Sequence, residues 1–145
     1  MKAYLSRRYR VSASHRLHSD AMSAEENRSI YGKCNNPHGH GHNYTIQITV
    51  SGQVDAKTGM VCNLTDLDTF IEREVLARYG HENLNLLQDF SDQVPTTENL
   101  CIQIYEIVQR GFHFAHLERV RLEETMMNSF EYRGEDETHE ETRSP

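Results

Sequence analysis

Three histidines and one cysteine stand where this chain could do chemistry. They fall in two short stretches, Ser12-Ala13-Ser14-His15-Arg16-Leu17 and Gly32-Lys33-Cys34-Asn35-Asn36-Pro37-His38-Gly39-His40-Gly41-His42-Asn43-Tyr44. His40 and His42 are two residues apart at the start of an alternating apolar run. A strand has a side-chain period of two, so this spacing aims both imidazoles at one face. His15 lies in another strand-like stretch, sharing a face with Val11, Ala13 and Leu17. Three neutral imidazoles able to converge predict a zinc site whose fourth position is open, the catalytic rather than the structural arrangement. Cys34, close by but outside the His-x-His pair, is a candidate acid, base or nucleophile. Its neighbours spell an irregular loop. A loop thiol beside a dication and Lys33 is expected to have a lowered pKa. His38, between Pro37 and the Gly39 step, reads as loop filling. His18, His113, His116 and His139 have no partners that the sequence names.

The elements that must position these residues are legible from periodicity and caps. Residues 2–17 alternate and predict a strand. Ser23-Ala24-Glu25-Glu26 matches a capping box and starts a short helix to about Tyr31. Residues 42–54 are the clearest strand, with His42, Tyr44, Ile46, Ile48 and Val50 on one face. Asp55-Ala56-Lys57-Thr58-Gly59 reads as a turn closing a hairpin onto Met60-Val61-Cys62. Leu64, Leu67, Phe70, Ile71, Val75 and Leu76 follow helical spacing from an Asn63 or Thr65 cap, with Gly80 at the stop. Residues 81–95 form a polar loop ending in Pro95. A second main helix starts at Thr96 or Thr97 and carries Leu100, Ile104, Ile107 and Val108. Residues 117–124 and 128–133 read as a final hairpin. The expected order is strand–helix–strand–strand–helix–helix–strand–strand, in one domain over residues 1–134.

Composition bounds the rest. The chain has 145 residues, 37% of them hydrophobic, which suits one domain with a modest core. No apolar run approaches the roughly 20 residues of a membrane helix, and no secretory leader opens the sequence. Three cysteines, Cys34, Cys62 and Cys101, are an odd set without disulfide-scaffold spacing, which predicts free thiols and a cytoplasmic setting. Residues 135–145 carry a net −4 of the chain's −7 and no apolar residue, so an acidic, disordered tail is expected there. The first 19 residues hold Lys2, Arg7, Arg8, Arg10 and Arg16 and no acid. A basic strand of that kind can receive phosphate groups, although a solvated strand face explains it equally well. Without a broad basic surface or any Trp, nucleic-acid binding is not expected.

Taken together, the two histidine stretches resemble those of 6-pyruvoyl-tetrahydropterin synthases. Further segments follow in order: Val54-Asp55 to Gly59-Met60-Val61, Asn63-Leu64-Thr65-Asp66-Leu67, His81-Glu82-Asn83-Leu84, Pro95-Thr96-Thr97-Glu98-Asn99 and Glu123-Glu124-Thr125. The likeness spans residues 8–134. Five residues separate Cys34 from His40, as in the branch that forms 6-pyruvoyl-tetrahydropterin. The related 6-carboxy-tetrahydropterin synthases have a shorter gap.

The resemblance implies an α+β tunnelling fold. An antiparallel sheet carries two main helices on one face, and sheets of several subunits close into a barrel. It implies a homohexamer built as a dimer of trimers. One zinc per chain would be held by His15, His40 and His42. Cys34 would be the general base, with His81 of a neighbouring subunit as its catalytic partner. Glu124 would anchor the pterin, helped by Thr96, Thr97 and Glu98. The reaction implied takes 7,8-dihydroneopterin triphosphate to 6-pyruvoyl-tetrahydropterin and triphosphate, with Mg2+ accompanying the phosphates. The family usually has Asp before the catalytic His, where this chain has Gly80; Glu82, Asp89 and Asp92 are the acids near enough in sequence to substitute. That departure leaves two alternatives: a 6-carboxy-tetrahydropterin synthase-like reaction, and a catalytically weak paralogue that binds zinc or pterin.

Overall fold

A computed structural model describes residues 1–135; the rest of the expected acidic tail lies outside the described residues. Four strands, β1 (Lys2–His15), β2 (His40–Gln53), β3 (His116–Thr125) and β4 (Asn128–Tyr132), form one sheet in the order β1-β2-β3-β4. Every neighbouring pair is antiparallel. Alternation puts Val11 and Ala13 of β1, Tyr44, Ile46, Ile48 and Val50 of β2, and Val120 and Leu122 of β3 in the core. The two main helices cover that face. Helix α1 (Ala24–Tyr31) follows β1. Helix α2 (Leu64–Ile71) runs on through a π-helical turn, Glu72–Leu76, into a last turn, α3 (Ala77–Tyr79). Helix α4 (Thr97–Gly111) buries Leu100, Cys101, Ile104, Tyr105 and Val108 against the sheet. The α+β architecture expected from the sequence is therefore present. Among the described residues no helix is long and apolar enough to cross a membrane.

Local chemistry explains the element ends. Ser23 Oγ accepts from the Glu26 N–H at 3.1 Å while Glu26 Oε1 accepts from the Ser23 N–H at 3.3 Å, the reciprocal box that starts α1. Asn63 caps α2 by accepting from the Thr65 N–H, and Thr96 caps α4 by accepting from the Asn99 N–H. The strand expected at Met60-Val61-Cys62 does not form. The Asp55 carboxylate takes the Lys57 and Thr58 N–H groups, and the Met60 carbonyl accepts from the Asp55 N–H at 3.0 Å. Only three residues then remain before the Asn63 cap, too few to lie along β2.

Two Arg–Asp–Tyr clamps hold the long helix. Asp68 of α2 accepts from Arg7 Nε and Nη2 at 3.1 and 2.9 Å and from the Tyr9 hydroxyl at 2.7 Å, tying α2 to β1. Asp89 accepts from Arg78 Nε and Nη2 at 2.8 and 2.6 Å and from the Tyr79 hydroxyl at 2.7 Å. The second clamp draws the polar loop 81–95 back onto α3. Arg78 first, and Tyr79 with it, hold the Asp89 carboxyl below the usual carboxylate range.

Between α3 and that loop the chain turns sharply and pairs with β1. The His81 N–H donates to the Ser12 carbonyl at 2.6 Å, and the Ser14 N–H donates to the Glu82 carbonyl at 3.0 Å. The turn is made at His81, whose φ is +60°, and not at Gly80, whose φ is −62°. Gly80 is required for space instead. A Cβ there would lie 2.6 Å from the Leu76 carbonyl oxygen, the same atom that accepts the Gly80 N–H at 2.8 Å.

A left-handed backbone costs an L-residue about 1–2 kcal/mol and costs glycine nothing, and it is worst for β-branched residues. By thermal melting, His81→Gly should match or exceed the wild-type Tm, and His81→Val should fall several degrees below it. Equal melting of the two variants would contradict the assigned turn. For Asp89 the depressed folded pKa fixes the sign. Its stabilisation is present above the ordinary carboxylate pKa near ~4 and is lost as pH falls through the lower folded value. The Tm deficit of Asp89→Asn should therefore be full at pH 7 and shrink below about pH 4. A pH-independent deficit would refute it.

Candidate metal centre and active site

The β1–β2 register builds the centre. His15 pairs with His40, and Ala13 pairs with His42, so the three rings project from one patch of the sheet on its helix-covered side. Ring centroids lie 4.7 Å apart for His15–His40, 5.0 Å for His15–His42 and 4.5 Å for His40–His42. The Nε2 atoms of His15 and His40 approach to 3.2 Å. Glu124 of β3 joins them, its Oε1 3.0 Å from His42 Nε2 and 3.5 Å from His15 Nε2. Four ligand atoms, one each from His15, His40, His42 and Glu124, lie within 4.8 Å of one another.

This donor set fits a metal ion. Ligands on a tetrahedral zinc at ~2.0–2.1 Å sit about 3.3 Å from each other, close to the 3.2 Å of His15–His40 and the 3.0 and 3.5 Å of Glu124 to His42 and His15. His42 Nε2 is buried and makes no hydrogen bond, although Glu124 Oε1 is within reach; His40 Nδ1 is likewise unpartnered. Leaving such groups unsatisfied costs about 1–3 kcal/mol each, and a coordinated cation would satisfy His42 Nε2. His15 is already oriented for the task. It is 1% exposed, and its Nδ1 lies 2.8 Å from the Pro95 carbonyl, which can only accept. The proton therefore sits on Nδ1 and the Nε2 lone pair faces the other rings, the outer-shell arrangement that fixes a ligating histidine. Burial first, then the neighbouring imidazoles, lowers the His15 pKa; burial also lowers that of His42. Both rings are neutral near pH 7, as ligands must be.

Cys34 sits on a short 3-10 turn, Gly32–Asn35, that is bolted to the end of β1. The Leu17 N–H donates to the Cys34 carbonyl at 2.8 Å. Asn35 Nδ2 donates to the Leu17 carbonyl at 2.8 Å, and Arg16 Nε donates to the Asn35 carbonyl at 3.2 Å. Burial and the charge of Glu124 push the Cys34 thiol up. The lowering expected from sequence is for a thiol beside a dication; without that charge, burial and a nearby carboxylate both disfavour a thiolate. The expected lowering thus falls wholly to a bound cation. Tyr44, buried beneath the histidines, is raised by burial, Glu124 and Cys34, which places all three in one electrostatic neighbourhood.

The remaining predicted residues fall into two groups. Thr96, Thr97 and Glu98 open α4: Thr96 is its cap, Thr97 is buried and Glu98 is exposed. The Pro95 carbonyl ties this segment to His15. His81 is elsewhere. It is exposed at the outer edge of β1, beside a cavity of about 560 Å3 shared with Arg10, Ser12, Asn43 and Gly80, and it is not among the four clustered ligands. Of the acids near Gly80, Asp89 is committed to Arg78 and Tyr79. Three contributors escaped the sequence reading: the Pro95 carbonyl, the Asn35 amide, and the Asn128 amide, which donates to Glu124 Oε2 at 3.0 Å. A backbone carbonyl leaves no residue-type signal. The two asparagines stand in turns, where the residue type has an ordinary explanation.

Comparison with known proteins agrees with this anatomy. The family model described as 6-pyruvoyl tetrahydropterin synthase matches residues 4–135. A protein of Poecilia reticulata called 6-pyruvoyl tetrahydrobiopterin synthase is 46% identical over 133 residues, 91% of this chain and 90% of its own. The Homo sapiens protein of that name is 44% identical over 135 residues, 92% of this chain and 93% of its own. The solved structure of Caenorhabditis elegans 6-pyruvoyl tetrahydropterin synthase superposes with a TM-score of 0.89 at 37% identity, covering 93% of this chain and 97% of that one. The chain belongs to the 6-pyruvoyl tetrahydropterin synthase family.

Proposed function

We propose that this chain is a zinc-dependent 6-pyruvoyl-tetrahydropterin synthase, a carbon–oxygen lyase that eliminates triphosphate from 7,8-dihydroneopterin triphosphate with redox isomerisation of the side chain. The observation that carries this reading is the convergence of His15, His40, His42 and Glu124 at one spot. Residues 1–134 would be its single domain. His15, His40 and His42 would hold the zinc. Zinc bound there supplies Lewis-acid polarisation of the substrate's side-chain hydroxyls, which acidifies the adjacent C–H bonds. Cys34 takes a carbon-bound proton as general base, and triphosphate, accompanied by Mg2+, departs. Glu124 grips the 2-amino and ring N–H groups of the pterin, and Thr96, Thr97 and Glu98 at the start of α4 complete that pocket. His81 reaches the site of a neighbouring subunit and relays protons there. Its exposure at the β1 edge favours that assignment. The assembly is a hexamer, a dimer of trimers. Strands β1 and β4 are the two ends of the sheet, and closing sheets across subunits removes those edges. Three free thiols suit a cytoplasmic setting.

The direct test is turnover of 7,8-dihydroneopterin triphosphate by purified, zinc-loaded protein, with triphosphate release and product mass both read. The expected product is 6-pyruvoyl-tetrahydropterin, formed slowly because Gly80 leaves His81 without an orienting acid, and Cys34→Ala should abolish it. A 6-carboxy product, or no turnover at all, would overturn the assignment. Metal analysis of His15→Ala and of His42→Ala should show loss of zinc from each; full retention in both would contradict the ligand set. Glu124→Gln should raise the pterin Kd about tenfold, or 1.4 kcal/mol. Equal affinity in the two proteins would remove Glu124 from the pterin site.

A further inference from the structure

We infer that the cavity between β1 and α3 is a phosphate site in which Arg10 supplies the charge. This deepens the reading above and rests on it for the identity of the ligand. The proposed substrate carries a triphosphate, and none of the residues assigned to it so far bears a fixed positive charge. Five basic residues stand in the first 19 of the chain. Four of them are committed. Lys2 pairs with Glu118 at 3.5 Å, and Arg7 is clamped to Asp68. Arg8 Nε donates to Gln47 Oε1 at 3.0 Å, and Arg16 Nε donates to the Asn35 carbonyl. Arg10 is exposed, and among the described residues its guanidinium has no hydrogen-bond or ion-pair partner.

The cavity that Arg10 lines suits an anion. It holds about 560 Å3, its polar side is Arg10, Ser12, Asn43 and His81, and no carboxylate lines it. Ser12 Oγ donates to Asn43 Oδ1 at 2.6 Å. That bond occupies the acceptor oxygen of Asn43 and leaves its amide N–H groups as further donors beside the guanidinium. Gly80 brings no side chain to the lining, and the Leu76 carbonyl oxygen, 2.6 Å from where a Cβ would stand, keeps one out. Glu123 lines the adjoining cavity with Arg8 and Arg10, but it is paired with Arg121 at 3.4 Å. A guanidinium fork and amide donors around a space without acids match the several acceptor oxygens of a phosphate. On the reading that His81 serves a neighbouring subunit, Arg10 arrives in that site with it, since the two line one cavity.

Calorimetric titration of inorganic triphosphate into zinc-loaded, full-length protein, without added Mg2+, tests the site and needs no turnover. The Kd should rise about tenfold in Arg10→Gln and by a smaller factor in Arg10→Lys, which keeps the charge but not the fork. Arg8→Gln, on the same sheet face but outside this cavity, should stay within about twofold of wild type. Absence of triphosphate binding, equal binding by wild type and Arg10→Gln, or an equal loss in Arg8→Gln would overturn the inference. Two sources of the phosphate are separated in a Cys34→Ala background, where no substrate is consumed. If the phosphate is the substrate's, Arg10→Gln weakens 7,8-dihydroneopterin triphosphate about tenfold and leaves unphosphorylated 7,8-dihydroneopterin unchanged, which is the result expected. If it belongs to a free phosphate compound at a separate site, Arg10→Gln weakens inorganic triphosphate alone. Failure of the lyase reading is told apart, because it is read as a protein that binds triphosphate through Arg10 and forms no 6-pyruvoyl product.

Discussion

The pairing of β1 with β2 is the constraint on which the site depends. His15 lies opposite His40 and Ala13 opposite His42, and a slip of one residue would send one strand's histidines to the other face of the sheet. The register is secured away from the site. Val11, Tyr44, Ile46, Ile48 and Val50 share the histidines' face and are buried, so a slipped pairing would expose the core of the molecule. The same apolar alternation that stabilises the sheet therefore positions the imidazoles. Asp68 reinforces it by gripping Arg7 and Tyr9 of β1 from α2.

Around this fixed point the rest of the site is attached by short polar links. Pro95 holds His15 and brings the start of α4 beside it. Leu17, just past the end of β1, receives the Cys34 turn through two hydrogen bonds. Asn128 turns Glu124 from the β3–β4 hairpin. Each link joins a loop or helix end to a strand whose position is already decided by packing. The arrangement keeps two roles apart: nitrogen and carboxylate donors are gathered at the centre, while the thiol is held near it with a raised pKa. A thiol in that state is a proton acceptor only when positive charge arrives, so on the proposed reading the metal also readies the base.

Much of this was legible in the sequence because it rests on local rules. The period-two runs point to the strands, the Ser23–Glu26 box to the start of α1, and His-x-His to the centre; the caps read as Asn63 or Thr65 and as Thr96 or Thr97 are Asn63 and Thr96. What escaped depended on competition between neighbours. Met60-Val61-Cys62 has strand-like residues, but the Asp55 turn and the Asn63 cap leave it no length. Gly80 reads as a helix stop; the left-handed residue is the next one, His81, and Gly80 is required by the Leu76 carbonyl. Asp89 reads as a spare acid, yet Arg78 and Tyr79 occupy it. Glu124 shares the face of Val120 and Leu122 by plain alternation, but that this face of β3 meets the histidines depends on the β2–β3 register, which no local pattern announces.

The central claim is that the histidines hold the metal and leave the Cys34 sulfur free to move a proton. X-ray absorption at the zinc edge of the loaded protein tests this most directly. The expected first shell is nitrogen and oxygen alone at ~2.0–2.1 Å, with imidazole scattering beyond it. A sulfur neighbour at ~2.3 Å would instead make Cys34 a ligand, with no free sulfur left to move the proton.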